Sequence, residues 1–135
     1  MRIRLEIPKT VLFSMEITVR VTDINYAGHL GNDRLLVYAQ ECRSAWFASL
    51  DFHELDIEGC NTVMADAALQ YVNEAFAFDQ ASIYLYMGDI HKYGFDLYYE
   101  VKRGDTGICK MKTAILFQKE GALVAPPAEL MQHLK

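Results

Sequence analysis

The chain has 135 residues and a mass of 15.4 kDa, the size of one domain, and we expect residues 1–135 to form it. Hydrophobic residues make up 52% of the sequence, enough for a packed core, while a net charge of −5 disfavours a nucleic-acid-binding surface. The N-terminus lacks the apolar core of a signal peptide, and no segment has the apolar length needed to span a membrane. Cys42, Cys60 and Cys109 lack C-x-x-C spacing, which predicts reduced thiols in a cytoplasmic protein.

The first predicted element is a strand that leads into a polar loop. Its apolar residues alternate with polar ones, the pattern of a half-buried strand: Met15, Ile17, Val19 and Val21. Asp23 and Asn25 continue the apolar parity. The sequence therefore predicts two polar side chains on a buried face, where each needs a hydrogen-bond partner or a function.

A loop with two glycines follows, and a helix is predicted to begin after it. Gly28 and Gly31 allow close approach of the backbone, and Asn32 or Asp33 is the predicted N-cap residue. Because N–H groups are unpaired at a helix N-terminus, the backbone of residues 28–32 is predicted to bind an oxyanion or a carbonyl oxygen. His29 is predicted to orient or polarise that carbonyl, and a structural cap or a surface position is its alternative role.

The predicted helix has apolar residues at spacings of three and four over about four and a half turns: Leu35, Ala39, Cys42, Trp46 and Leu50. Strands are predicted over 62–72, 80–88, 94–103 and 107–118. Two strand faces are predicted to be apolar: Phe95, Leu97, Tyr99 and Val101 on one strand, and Cys109, Met111, Ile115 and Phe117 on the next. A short helix is predicted to begin at the prolines 126–127.

Basic residues cluster around the predicted hairpin turn at 103–107: Lys102, Arg103, Lys110 and Lys112. We interpret the cluster as a solvated hairpin in preference to a phosphate site. Motifs for nucleotide, dinucleotide or zinc binding are absent from the sequence, and neither a metal nor an organic cofactor is predicted.

Residues 19–43 carry a recognisable pattern: Val19-Arg20-x-x-Asp23-x-Asn25-x-x-Gly28-His29-Leu30-Gly31-Asn32-Asp33-x-Leu35-Leu36, followed by Glu41-Cys42-Arg43. It resembles the signature of hotdog-fold acyl-CoA thioesterases, and more narrowly that of the 4-hydroxybenzoyl-CoA thioesterase-like group. The resemblance implies an α+β hotdog fold in which an antiparallel sheet of about five strands wraps one long central helix. It also implies a homodimer or a dimer of dimers, with the site formed across the dimer interface.

The resemblance implies hydrolysis of an acyl-CoA or acyl-carrier thioester. Many family members have Asp-x-Asp in this loop, with the second Asp catalytic, and this chain has Asn25 there. Since an amide cannot act as a general base near neutral pH, we predict that Asn25 lines the site and positions water or the thioester. Asp23 and Glu41 are the candidate catalytic carboxylates. Asp23 has the alternative role of bracing the turn, and Glu41 that of pairing with Arg34 or Arg43.

Predicted substrate-binding residues come from the loop and from the second strand: Tyr26, Gly28, Leu30, Gly31, Asn32 and Tyr71. The resemblance implies that Gln70, Tyr71 and Asn73 flank the acyl pocket from the neighbouring subunit, and core packing is the alternative role of Tyr71. Phe76 and Phe78 are predicted either to shape the acyl end of the pocket or to cover the helix.

Two functions of different classes fit these residues. The first is an acyl-CoA thioesterase, and the second is a non-hydrolytic acyl-thioester binding protein in which Asn25 has replaced the catalytic Asp. A dehydratase is disfavoured because its usual histidine and helix glutamate pattern is not matched. The expected partners are a thioester substrate and a second copy of the chain, with neither nucleic acid nor a membrane among them.

Overall fold

The computed structural model describes residues 2–134 as one antiparallel sheet with a long helix packed on one face. The strands are β1 (Val11–Thr18), β2 (Asn61–Tyr71), β3 (Gln80–His91), β4 (Gly94–Arg103), β5 (Thr106–Lys119) and β6 (Ala122–Val124). The helices are α1 (Arg34–Ser49) and α2 (Ala128–Gln132). The sheet order is β1-β3-β4-β5-β2, and β6 pairs with β5. The α+β class, the long helix and the later strands were predicted, while the three-residue β6 was not.

The core lies between the inner face of the sheet and α1. The two predicted strand faces are confirmed, since all eight of their residues are buried. The predicted helix stripe is confirmed at Leu35, Ala39, Cys42 and Trp46, which are buried against the sheet. Two further helix residues, Tyr38 and Arg43, are also buried, and both carry polar groups that need partners inside the protein.

The segment after β1 departs from the predicted strand. β1 ends at Thr18, and Val21–Asp23 form a single 3-10 turn, which breaks the alternation. Val21 is 63% exposed, so its predicted burial was wrong. Asp23 is buried as predicted, and the Tyr38 hydroxyl donates to its Oδ2 at 2.7 Å.

The sheet has two edges, β1 and β2, and the β2 edge is exposed and partly apolar. Val63 and Met64 on β2 are 39% and 49% exposed. On the neighbouring β5, Lys112 pairs with Asp66 of β2 at 2.8 Å, and Arg103 at the end of β4 pairs with Asp79 at 3.1 Å. These ion pairs agree with the interpretation of the basic cluster as a hairpin surface. None of the helices in residues 2–134 is long and apolar enough to cross a bilayer.

Candidate active site

A cavity of about 280 Å³ lies beside the N-terminal end of α1. Its walls come from the loop before α1, from the first turn of α1, from the segment that follows β2 and from β5: His29, Leu30, Asn32, Leu35, Tyr71, Val72, Asn73, Glu74, Ala75 and Ile108. Five of the candidate site residues named from the sequence therefore meet at one cavity: His29, Leu30, Asn32, Tyr71 and Asn73. The backbone joins the two loops directly, because the Leu30 N–H donates to the Ala75 carbonyl at 2.8 Å.

Asn25 shapes the turn that precedes His29. Its side-chain Oδ1 accepts the N–H of Ala27 at 2.9 Å and that of His29 at 3.4 Å, and its own carbonyl accepts the Gly28 N–H at 3.0 Å. Gly28 has a φ of +86°, which a residue with a side chain rarely adopts. Asn25 therefore holds the backbone on which His29 is carried, and its Nδ2 has no acceptor within residues 2–134.

The backbone donors of this loop are mostly committed to the fold. The Gly28 and Leu30 N–H groups donate as described above, and the Gly31 N–H donates to the Asp23 carbonyl at 3.0 Å. The N–H groups of Asn32 and Asp33 have no acceptor in the described part of the chain, and Asn32 lines the cavity. Of residues 28–32, which were predicted to bind a carbonyl oxygen, Asn32 thus has the N–H group that is available to do so.

Gly31 is buried, and a Cβ on it would lie 2.8 Å from Asp33 Oδ1. Asp33 occupies the predicted N-cap position, yet its side chain makes no capping hydrogen bond. The Asn32 and Asp33 N–H groups, which have no acceptor within residues 2–134, lie at the N-terminal end of a helix, where the helix dipole favours negative charge.

His29 is paired with a carboxylate that the sequence analysis did not single out. Its Nε2 lies 3.5 Å from Glu74 Oε1, and both residues line the cavity. The His29 side chain is 26% exposed and that of Glu74 is 62% exposed, so the pair lies at the rim and is reachable from solvent. Glu74 follows β2 in an irregular segment, where no periodic pattern marks a residue as functional.

The two predicted catalytic carboxylates lie elsewhere. Asp23 is buried beneath the loop and is held by the Tyr38 hydroxyl, and the Arg20 N–H donates to it at 3.4 Å. Burial, followed by the hydrogen bond to Asp23, raises the pKa of Tyr38. Glu41 is exposed on α1 and does not line the cavity. The bracing role that the sequence left open for Asp23 matches this geometry.

The expected partner for Glu41 is not found. Arg43 donates from Nε to Glu54 Oε2 at 2.9 Å, and Arg34 lies 4.0 Å from Asp33. Both arginines are thus directed to other carboxylates.

Of the three residues predicted to flank the acyl pocket, two line this cavity. Tyr71 and Asn73 line the cavity within the same protomer as His29 and Asn32, and the Tyr71 hydroxyl donates to the Asn32 carbonyl at 3.3 Å. Burial is the main cause that raises the pKa of Tyr71. Gln70 is outside the cavity, where its Oε1 accepts the N–H of Leu5 at 2.8 Å.

Three predicted contact residues are exposed and lie outside the cavity wall. Tyr26, on the Asn25 turn, is fully exposed, and Phe76 and Phe78 are 46% and 73% exposed.

Nucleophilic catalysis by a cysteine is not supported. All three cysteines are buried. Burial raises the pKa of Cys42 and that of Cys109 to about 12, so at neutral pH these thiols carry almost no thiolate. Within residues 2–134 no group of three or more His, Cys, Asp and Glu side chains is arranged to hold a metal ion.

The arrangement offers a histidine backed by a carboxylate, free N–H groups at a helix N-terminus and a cavity between them. These are the parts that general-base attack on a carbonyl requires. The cavity wall between them is largely apolar, with Leu30, Leu35, Val72 and Ile108. It can therefore accept a hydrocarbon portion beside a reacting carbonyl.

Solved structures with the same architecture include two named thioesterases. The 1,4-dihydroxy-2-naphthoyl-CoA thioesterase of Synechocystis is 16% identical, with a TM-score of 0.83 over 90% of this chain and 94% of that one. The dynemicin thioesterase is 17% identical, with a TM-score of 0.80 over 92% and 94% of the two chains. A hypothetical protein from Aquifex aeolicus is 22% identical, with a TM-score of 0.85 over 91% and 99%. No curated protein matches the chain.

At the level of sequence, the profile of the Thioesterase-like superfamily matches residues 19–134. That range holds the loop before α1, the whole of α1 and every strand after it. The predicted resemblance is thereby confirmed, and so is the hotdog arrangement of an antiparallel sheet and one long helix. The chain belongs to the thioesterase-like superfamily and has the hotdog fold.

Proposed function

We propose that the chain hydrolyses an acyl-CoA or a related acyl thioester at the cavity beside the N-terminus of α1. The observation that carries the proposal is the His29–Glu74 pair, with Nε2 and Oε1 3.5 Å apart at the rim of that cavity. Membership of the thioesterase-like superfamily supplies the reaction class. The pair supplies the general base that Asn25 cannot be.

His29 is the proposed general base, and Glu74 orients it. If Nε2–H points to Glu74, then Nδ1 carries the lone pair and can accept a proton from water. The water oxygen forms a bond to the thioester carbonyl carbon while its proton passes to Nδ1. The carbon–sulfur bond then breaks, and the leaving thiolate takes that proton from His29. A carboxylate behind a histidine is the arrangement by which many hydrolases fix the tautomer of the base.

The developing oxyanion needs donors that are not already used by the fold. Within residues 2–134 the N–H group of Asn32, which lines the cavity, and that of the neighbouring Asp33 have no acceptor. Both lie where the dipole of α1 stabilises negative charge. We propose that the thioester carbonyl lies against Asn32, with Leu35 and Ile108 contacting the first part of the acyl group.

Asn25 is proposed as a positioning residue. Its Oδ1 holds the N–H of Ala27 and that of His29, which fixes the backbone that carries the base. An aspartate at this position would present an acceptor oxygen in place of Asn25 Oδ1. The replacement of the family's Asp by Asn25 is therefore compatible with hydrolysis.

A homodimer is proposed through the β2 edge. An edge strand offers unpaired N–H and C=O groups, and here it also exposes Val63 and Met64, of which Met64 lines the same hollow as Val37 of α1. Pairing two β2 strands would cover this surface and extend the sheet. A cytoplasmic location accompanies the proposal, because the three cysteines are unpaired.

The experiment is a hydrolysis assay of the wild-type chain over short, medium, long and aromatic acyl-CoAs, with free thiol as the readout. We expect turnover of at least one class. The proposal fails if acyl-CoA binds by calorimetry but no thiol is released from any substrate. That outcome would establish the non-hydrolytic binding function. Sedimentation at micromolar concentration tests the dimer separately, and a stable 15.4 kDa monomer would contradict it.

A further inference from the structure

The segment between β2 and β3 carries Glu74 to the cavity, and it has no regular secondary structure of its own. It contacts the loop before α1 through the hydrogen bond from the Leu30 N–H to the Ala75 carbonyl. Because the Glu74 side chain is 62% exposed, packing against its neighbours holds it only weakly. The position of Glu74 relative to His29 therefore depends on how firmly its backbone is held.

Arg103, the last residue of β4, contacts that backbone. Its Nη1 donates to the Glu74 carbonyl at 2.9 Å and to Asp79 Oδ2 at 3.1 Å. The side chains of Arg103 and Asp79 are 34% and 26% exposed, so the ion pair is partly shielded from solvent. Since β4 lies between β3 and β5, Arg103 joins the irregular segment to the central strand of the sheet.

Asp79 fixes the other end of the segment. Its Oδ2 also accepts the Phe76 N–H at 2.9 Å, and its own N–H donates to the Phe76 carbonyl at 3.1 Å. The Asp79 carbonyl accepts the Val19 N–H at 2.9 Å. One carboxylate oxygen thus receives both the Arg103 cation and a backbone N–H, and the turn is closed at the end opposite Glu74.

The turn depends on such contacts because its backbone is strained. Phe78 has a φ of +72°, which a bulky residue rarely adopts, and the residue is 73% exposed, so burial of its ring offsets little of the strain. Hydrogen bonds stabilise the turn instead. The Phe78 N–H donates to the Val19 carbonyl at 2.8 Å, and Arg103 supplies the contact to Glu74 itself.

We propose that Arg103 is a positioning residue for the reaction. Through its bonds to the Glu74 carbonyl and to Asp79, it sets where the Glu74 carboxylate meets His29. The proposal rests on the thioester hydrolysis proposed above. Arg103 does not line the cavity, so its removal should lower kcat more than it changes KM.

The test is Arg103→Gln in two backgrounds, the wild type and Glu74→Ala, with an acyl-CoA that the wild type hydrolyses. In the wild-type background we expect kcat to fall about 10-fold and KM to change by less than about 2-fold, because the base is present but is oriented less well. In Glu74→Ala the same change should have no further effect on kcat, because the group that Arg103 positions is gone.

Lys102→Gln is the matched control. It removes the same charge from the neighbouring residue of β4, whose side chain is 37% exposed, and it should keep the wild-type kcat. Arg103→Lys should have a higher kcat than Arg103→Gln, because one nitrogen of Arg103 makes both contacts and an ammonium group can replace it in part.

Asp79→Asn guards against a folding failure of Arg103→Gln. It keeps an acceptor for the Phe76 N–H but removes the charge that Arg103 binds, and it should lower kcat several-fold in the wild-type background alone. Equal losses of kcat with and without the Glu74 carboxylate would overturn the inference, because a merely structural role acts in both backgrounds. A wild-type kcat in Arg103→Gln would overturn it as well.

Amide hydrogen exchange separates this inference from the proposed reaction, because it needs no substrate. Arg103→Gln should speed exchange of the Phe76 and Leu30 N–H groups by about 10-fold relative to Lys102→Gln. If exchange accelerates in this way but the wild type hydrolyses no acyl-CoA, the proposed reaction fails and the positioning of Glu74 by Arg103 stands. Unchanged exchange at both N–H groups overturns the inference whatever the activity.

Discussion

Two carboxylates near the start of α1 have opposite surroundings. Asp23 lies beneath the loop, is 8% exposed and is held by the Tyr38 hydroxyl at 2.7 Å. Glu74 lies at the rim of the cavity, and its side chain is 62% exposed beside His29. The Asp23 carboxylate is occupied by hydrogen bonds within the fold, whereas the Glu74 carboxylate is available to orient a base. A polar group that the fold requires is therefore a poor candidate for chemistry, even when it stands in a family motif.

Asn25 connects the two regions, and its replacement should have a large effect on turnover. Asn25→Ala removes the oxygen that holds the N–H of Ala27 and that of His29, so the base becomes misplaced. We expect kcat/KM to fall by about 10²-fold, mainly through kcat. Asn25→Asp retains an acceptor oxygen for both N–H groups and should have a rate close to that of the wild type.

The aspartate variant also distinguishes the alternatives for Asn25. If Asn25→Asp is as slow as Asn25→Ala, the positioning role is wrong. If the wild type is inactive and Asn25→Asp hydrolyses acyl-CoA, the chain is a binding protein that lost the family's carboxylate. Urea unfolding of each variant checks that the loop change has not altered global stability.

At the buried Asp23, Tyr38→Phe should lower the free energy of unfolding and leave kcat/KM unchanged. It leaves the buried Asp23 carboxylate with only the Arg20 N–H, and we expect a loss of about 1–3 kcal/mol in the free energy of unfolding. Tyr26→Phe is the matched control, because Tyr26 is fully exposed. A large loss of kcat/KM at a temperature where Tyr38→Phe is folded would place Asp23 in the reaction.

Tyr38 should also make the stability of the protein depend on pH in the alkaline range. Burial and the hydrogen bond to Asp23 raise the pKa of Tyr38 above its ordinary value of 10.0. Because the folded state holds this proton more tightly than the unfolded chain, the stabilisation is complete below pH 10 and is lost as the pH rises above it. As the pH rises from neutral to above 10, the free energy of unfolding should therefore fall less in Tyr38→Phe than in the wild type. An unchanged slope in the variant would contradict the assignment.

The smallest expected effect is at Tyr71, which closes one wall of the cavity. Its hydroxyl donates to the Asn32 carbonyl at 3.3 Å and the residue is half exposed, so Tyr71→Phe should change kcat/KM by only about 2- to 5-fold. Tyr84→Phe, on the outer face of β3, should have no effect. A loss of 10²-fold at Tyr71 would indicate a direct catalytic role for its hydroxyl.

The fold could be predicted from the sequence because its signals are periodic. The alternation of Phe95, Leu97, Tyr99 and Val101 reports one buried face, and the spacing from Leu35 to Trp46 reports the helix. Val21 was misplaced because a 3-10 turn interrupts the alternation, and no residue type marks that turn.

The site could be predicted only in part. His29, Asn32 and Tyr71 were found because the motif and the strand end mark them. Glu74 was missed because it lies in an irregular segment, which has no periodic signal. The Leu30–Ala75 hydrogen bond, a long-range contact, brings this segment to His29. Pairing with Arg34 or Arg43 was the alternative role of Glu41, and the partner of Arg43 is instead Glu54, from the segment between α1 and β2.

The most direct test of the account is a double-mutant cycle on kcat/KM with His29→Gln, Glu74→Gln and the double variant. If Glu74 acts through His29, each single change should lower kcat/KM by about 10²–10⁴-fold, and the double variant should be no slower than the slower single one. Glu41→Gln should hydrolyse at the wild-type rate. The account is contradicted if the two losses multiply, or if Glu74→Gln is fully active while Glu41→Gln is not.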